Sequence, residues 1–212
     1  MSDERMVLNK ANMGITDGIP LQASDGGLEE LRRDIQRLMD IEAIKQVKHA
    51  YFRCVDTANL EEMATLCHED LSVHYKGGSY EWTMGSRQEF LDNLGASFHK
   101  QAIGQHNAHQ PEIQMLSETE ATGIWYLADN MWSFNHDVKT YGTALYWDRY
   151  LKVDGKWVIK DTRYERLYEM IDMLEGKKPM ITSHYLAVPG PDLQASPTPG
   201  ERAGRGQPCG LI

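Results

Sequence analysis

The stretch KTYGTALYWDRYLKVDGKWVIKDTRYERLY, residues 139–168, decides the fold class. Asp154-Gly155 sits between two long runs rich in Tyr, Trp, Val and Ile. This dipeptide suits a two-residue hairpin, because both positions tolerate a positive φ. The runs read as paired strands, Lys139–Val153 and Lys156–Tyr168. Working outward, Gln105–Leu116 and Ala121–Phe134 have the same character and flank the polar turn Ser117-Glu118-Thr119-Glu120. The second half of the chain is therefore expected to be mostly sheet, followed by a short helix over residues 169–176.

The first half has a different period. Leu31, Ile35, Leu38, Ile41, Ile44, Val47, Tyr51 and Val55 recur in steps of three and four, which defines one face of a helix beginning at Leu28. Asp56-Thr57-Ala58-Asn59 breaks the pattern, and Asn59 is placed to cap a short helix over Leu60–Cys67. Leu71–Tyr75 reads as a strand that turns at Gly77-Gly78 and returns through Tyr80–Trp82. Ser86, with Glu89 three residues on, forms a capping box for a helix to about His99. Helices first and then a run of antiparallel strands is an α+β order. The expected fold is a strongly curved antiparallel sheet, a cone-shaped α+β barrel closed by the N-terminal helices around an apolar pocket. Residues 1–26 read as a polar arm, 27–178 as the cone domain, and 179–212 as a C-terminal extension. From Pro189 onward that extension holds five prolines and five glycines, a composition that does not build a core.

The 31 acidic and 22 basic side chains give a net charge of -9. That balance argues against nucleic-acid partners and anionic membrane surfaces. No apolar run approaches the length of a membrane span, and MSDERMVLNK lacks the apolar centre of a signal peptide, so the expected location is cytoplasmic. Three cysteines without a CxxC pair fit neither a disulfide framework nor a zinc site. Cys54 and Cys67 fit small buried positions. The usual glycine-rich dinucleotide and phosphate cradles and the GxSxG elbow are absent, and no cofactor is expected.

Chemistry is suggested by residues far apart in sequence. His106 is a candidate base, because an imidazole accepts a proton near neutral pH. Asp56 would orient it by accepting a hydrogen bond from its other ring nitrogen. Tyr51 offers a hydroxyl as acid or hydrogen-bond donor, with a core aromatic as the plainer alternative. Asp129 shares a strand face with Trp125, Leu127 and Met131, and an acid in such company needs a partner. A partner or a raised pKa makes Asp129 a functional candidate, and the alternative is a salt bridge with Arg149 or Arg163. Trp125 is placed to stack on an aromatic substrate. His106 and His109 would point to opposite faces of one strand, which disfavours a shared metal.

The order helix, YFRCVD (51–56), short helix, strand, HNAHQPEI (106–113) and GIWYLAD (123–129) resembles the SnoaL-like branch of the nuclear transport factor 2-like superfamily over about residues 28–170. Within that branch the chain is similar to the lyases that work without a cofactor, among them dehydratases, a dehydrochlorinase and formaldehyde lyases acting on diarylpropanediols. The resemblance implies a cone with a small-molecule pocket. It implies catalytic roles for Asp56, His106, Tyr51 and Asp129 and substrate contacts for Tyr75 and Arg163, the last with a register shift of about one residue. It also implies a homotrimer or homodimer.

The expected function is a lyase that eliminates water or formaldehyde from a hydrophobic aromatic or polycyclic alcohol. A ketosteroid-isomerase-like isomerase or polyketide cyclase is the alternative enzyme, and a non-catalytic small-ligand-binding protein the alternative class. Met180–Val188 is apolar enough to cover a pocket mouth or a neighbouring subunit.

Overall fold

The computed structural model describes residues 8–21, 27–78, 80–177 and 179–188. Its elements in chain order are α1 (Leu28–Thr57), α2 (Leu60–Leu66), β1 (Cys67–Lys76), β2 (Glu81–Met84), α3 (Arg87–Ser97), β3 (Ala102–Met115), β4 (Glu120–Ser133), β5 (Val138–Val153) and β6 (Lys156–Met173), followed by a short 3-10 turn, Tyr185–Ala187. The caps read from sequence do their work. Asn59 Oδ1 accepts from Glu62 N at 3.1 Å and Ser86 Oγ from Glu89 N at 3.2 Å. Each satisfies one free donor of a helix's first turn. Asp154 and Gly155 both take positive φ, 49° and 78°, and join β5 to β6 as a tight hairpin.

The six strands form one curved sheet in the order β2-β1-β6-β5-β4-β3. This is the expected α+β cone, a curved sheet covered by helices, and it differs from a fully antiparallel closed barrel in two particulars. β1 and β6 pair in parallel, and the sheet is open, with β2 and β3 as its edges. Parallel neighbours need a long connection, and everything from β2 to β5 lies between these two strands. The helix expected over 169–176 is also absent. β6 continues to Met173 because its end pairs with the start of β5, Val138 opposite Met173.

The helices cover the concave face, α1 packing on β3 and β6 and α3 on β1 and β2. Ile44, Tyr51, Phe52 and Val55 of α1 meet Leu71, Val73, Leu127, Tyr146 and Ile159 of the sheet in one core. Each such large side chain contributes about 1.5–3 kcal/mol when fully buried. Leu31, Ile35 and Leu38, expected on the same buried stripe, are exposed. The helix outruns the sheet there. Its last buried residue on that side is Asp40, whose carboxylate accepts from Lys152 Nζ at 2.7 Å and Trp157 Nε1 at 2.9 Å beside the β5–β6 turn.

Part of the N-terminal arm folds back on the convex face. Met13 and Ile15 pack on Ile124 with Leu145 and Trp147, and Ile19 N donates to Met115 O at 2.8 Å. Cys54 and Cys67 are buried, as expected, and burial pushes their thiols up to about 11 and about 12. The Pro/Gly-rich tail and Cys209 lie outside the described residues. Among those residues, no helix is long and apolar enough to cross a membrane.

Candidate active site

α1 ends at Thr57, and Ala58 takes a left-handed conformation (φ 48°) that turns the chain away. The turn leaves Asp56 against β3. Its Oδ1 lies 2.6 Å from His106 Nδ1, and its Oδ2 accepts from His106 N at 3.0 Å. One residue thus engages both carboxylate oxygens, which fixes the acid and the imidazole together. A carboxylate only accepts. Nδ1 therefore carries the hydrogen, and in the neutral imidazole Nε2 is the nitrogen with the lone pair. Phe52 stacks on the imidazole at a centroid distance of 6.0 Å and Phe98 meets it edge-on at 5.7 Å.

Gly104, two residues before His106, makes the arrangement possible. A Cβ there would stand 2.7 Å from the Phe98 ring, 3.2 Å from Asp56 Oδ1 and 3.3 Å from His106 Cε1. Glycine inside a strand often marks such a close approach.

His106 lines a cavity of about 230 Å³ between the helices and the concave face. Phe52, Val55, Phe90, Leu94, Leu127 and Met131 make much of its wall apolar. Two phenols enter it side by side, with Tyr51 Oη 2.5 Å from Tyr75 Oη, and Tyr75 Oη lies 3.5 Å from Thr162 Oγ1. Burial holds both phenols well above their ordinary range, so both keep their hydrogens. Two hydroxyls joined by one hydrogen bond leave a second phenolic hydrogen for another acceptor.

The third polar group stands directly across the sheet from the base, since Asp129 on β4 pairs with His106 on β3. Asp129 is 4% exposed, and each of its oxygens takes one nitrogen of Arg166, at 2.6 and 2.7 Å. This two-pronged pairing is strong and directional. Burial works against the Arg166 charge, but Asp129 and the Tyr80 phenol together hold its pKa above the ordinary range. Glu169, also in the wall, has Oε1 3.2 Å from Arg166 Nε. With both oxygens committed, Asp129 holds Arg166 in place.

The structure thus brings together Tyr51, Asp56, Tyr75, His106 and Asp129. It does not bring in Trp125 or Arg163. Trp125 packs in the main core, fully buried, its Nε1 donating to Tyr150 Oη at 2.9 Å. It does not line the cavity, so the expected ligand stacking is corrected. Arg163 is exposed on the outer face. The cause is an extra residue in β6. Tyr150 pairs with Ile159 and Arg149 with Asp161, so Lys160 is skipped and the alternation reverses. Thr162, Tyr164 and Arg166 then face inward, and Arg149, the other suggested partner of Asp129, binds Glu120 and Asp161 outside. A second extra residue, Leu167, carries Glu169 inward.

His109 is exposed on the face opposite His106. Among the described residues no group of three or more His, Cys, Asp or Glu is placed to hold a metal. Met180–Val188 lies against Lys100, Gln101 and Phe134, and its His184 is 3.0 Å from Ala102 O. No residue of that segment lines the cavity.

Residues 36–163 match the SnoaL-like domain. Among solved structures, a provisionally assigned scytalone dehydratase from Novosphingobium aromaticivorans DSM 12444 superposes with a TM-score of 0.56 at 23% identity, covering 64% of this chain and 89% of the other. Hexachlorocyclohexane dehydrochlorinase LinA-type3 from Novosphingobium barchaimii LL02 gives 0.57 at 16% identity, covering 71% and 99%. ActVI-ORFA from Streptomyces coelicolor gives 0.50 at 13% identity, covering 60% and 96%. At these identities the likeness establishes the fold.

Proposed function

The chain belongs to the SnoaL-like domain family, and on that premise we propose that it is a cofactor-independent lyase acting on a hydrophobic aromatic or polycyclic alcohol. One observation carries the proposal. A histidine has one ring nitrogen tied to a carboxylate at 2.6 Å and presents the other at the wall of a sheltered, largely apolar cavity. Structural relatives named as a dehydratase and a dehydrochlorinase support elimination as the reaction type.

His106 Nε2 removes a proton from a substrate carbon. The imidazolium that forms is stabilised by Asp56, which also keeps the ring from turning. The electron pair of the broken C–H bond becomes the new double bond, and the adjacent C–O bond breaks. The departing oxygen meets the Tyr51–Tyr75 pair. Because burial keeps these phenols protonated, the pair has one hydrogen left to donate to the charge that develops there. The proton on His106 passes to that oxygen directly or through the phenols. The substrate loses one water and the protein ends unchanged. Arg166, held by Asp129 and Glu169, is committed to these two acids and shapes the opposite wall of the cavity.

A diarylpropanediol is a specific version of the same chemistry. His106 takes the proton of the primary hydroxyl, and the neighbouring C–C bond breaks to release formaldehyde. The electron pair forms the double bond, and the secondary hydroxyl leaves as water with that proton.

The test is a mass-spectrometric turnover screen of aromatic and polycyclic alcohols, diarylpropanediols included, on protein without added cofactor, with His106→Ala as control. The expected product is lighter by water, or by water and formaldehyde, and absent with the variant. An isobaric product would replace the lyase by an isomerase or cyclase. Ligand binding without turnover across the panel would replace it by a binding protein.

A further inference from the structure

His106, Asp129, Gly142 and Glu169 stand in one transverse row across β3, β4, β5 and β6, each paired in register with the next. Gly142 contributes no side chain, and the Arg166 guanidinium spans the gap between the two acids. Asp129 takes both terminal nitrogens of Arg166. Glu169 is left with Nε at 3.2 Å, and its side chain is 6% exposed. No hydrogen bond is directed at its buried Oε1, while Oε2 accepts from Gly78 N at 3.2 Å. Among the described residues lining the cavity, Arg166 is the one permanent cation, and two carboxyl groups share it. Lys48 approaches the phenol rings from behind, but Asp148 pairs it at 2.8 Å with both side chains fully buried.

We propose that Glu169 makes this cavity select an uncharged substrate bearing a hydroxyl donor at the end remote from the base, and exclude carboxylate-bearing analogues. The proposal rests on the assignment of this cavity as the substrate site. A buried carboxylate short of donors gains a charge-assisted hydrogen bond from a hydroxyl. An ether of the same shape brings only acceptors, and a carboxylate ligand adds like charge in a poorly solvated space.

The test measures dissociation constants by calorimetry at neutral pH for 4-phenylphenol, 4-methoxybiphenyl and biphenyl-4-carboxylate. The proteins are the wild type, Glu169→Gln, Glu169→Asp and His106→Ala, each confirmed as folded by thermal melting. Wild type should bind the phenol about tenfold or more tighter than the ether, with the carboxylate weakest. Glu169→Gln should bring the phenol-to-ether ratio close to one and strengthen carboxylate binding, and Glu169→Asp should keep the wild-type order. An ether that binds wild type as tightly as the phenol would overturn the proposal. So would a preferred carboxylate, an unchanged ratio in Glu169→Gln, or no measurable binding by any probe. The wild-type order alone decides if Glu169→Gln does not fold. His106→Ala should keep the order. Lost order with turnover retained refutes only the selectivity, and retained order without wild-type turnover refutes only the lyase.

Discussion

Two of the charged side chains that helix α1 delivers to the sheet, Lys48 and Asp56, meet different fates. Lys48 meets Asp148 at 2.8 Å with both side chains fully buried. The Tyr146 ring lies 3.8 Å from Nζ, Asp148 also takes Tyr150 Oη at 2.7 Å, and Tyr150 takes Trp125 Nε1. About two turns later Asp56 meets His106, with side chains 26% and 10% exposed. The first pair spends its polarity on protein and is sealed. The second spends one ring nitrogen and keeps the other beside a cavity. Burial of charge alone therefore says little about chemistry here, and an unspent lone pair facing ligand space says much. Burial drives the Lys48 amine below its ordinary range even though Asp148 pulls the other way, which marks the sealed pair as a structural tension.

The largest expected effect separates the two pairs. His106→Ala should lower kcat/KM by about 10²–10⁴-fold while leaving the melting temperature nearly unchanged. A loss of activity that only tracks a loss of fold would erase the distinction. Lys48→Met should do the reverse, costing about 3–5 kcal/mol in denaturant unfolding by stranding Asp148, with kcat of the folded fraction retained. The double variant Lys48→Met/Asp148→Leu should recover most of that stability, since a well-packed apolar replacement of a buried pair is often neutral or better. A double variant as unstable as the single would mean the pair itself stabilises the cone.

Gly104→Ala sharpens the comparison from the side of geometry. The added methyl must displace Phe98, Asp56 or His106. Turnover should fall by roughly 10- to 100-fold from misplaced reacting groups, with a stability loss of only about 1–3 kcal/mol. Kinetics like those of the wild type would show that the base tolerates more freedom than its packing suggests.

The smallest effect concerns pH. Burial raises the phenols of Tyr51, Tyr75, Tyr146, Tyr150 and Tyr164 above their ordinary value. A group whose folded pKa is raised contributes stability that is complete below its unfolded value, near 10, and is lost as pH rises beyond it. Denaturant midpoints should hold up to about pH 10 and fall above it, and Tyr51→Phe should make the fall shallower. Absorbance at 295 nm should show these phenols ionising together with unfolding. Their titration near pH 10 in a still-folded protein would contradict the burial account.

The two pairs also differed in how far the sequence exposed them. Asp56 and His106 could be named from the break after Val55, the alternating strand and the resemblance to a family. Lys48 could not, because it occupies a polar position between Val47 and Tyr51 on a helix whose sealed partner lies on β5. The hairpin at Asp154-Gly155 and the caps at Asn59 and Ser86 were legible because each is set by local backbone chemistry. The parallel β1–β6 pairing and the open edges were not, since they depend on which distant strands meet. The arginine shows the same limit at one-residue scale. The resemblance carried Arg163 into the site, and the single skipped residue Lys160 turns it outward and puts Arg166 there instead. Gly104 carried a signal that went unused, a glycine two positions from a candidate base in a strand.

The claim at the centre is that Asp56 holds the Nδ1 hydrogen of His106 and leaves Nε2 as the free base. A ¹⁵N–¹H correlation spectrum of the histidine rings at pH 8, with His106 assigned by its absence in His106→Ala, tests this without a substrate. Nδ1 should show a bonded hydrogen and Nε2 the shift of an unprotonated nitrogen, with the pattern lost in Asp56→Ala. A hydrogen on Nε2 and a bare Nδ1 would contradict the account, because the nitrogen facing the cavity could not then accept a proton.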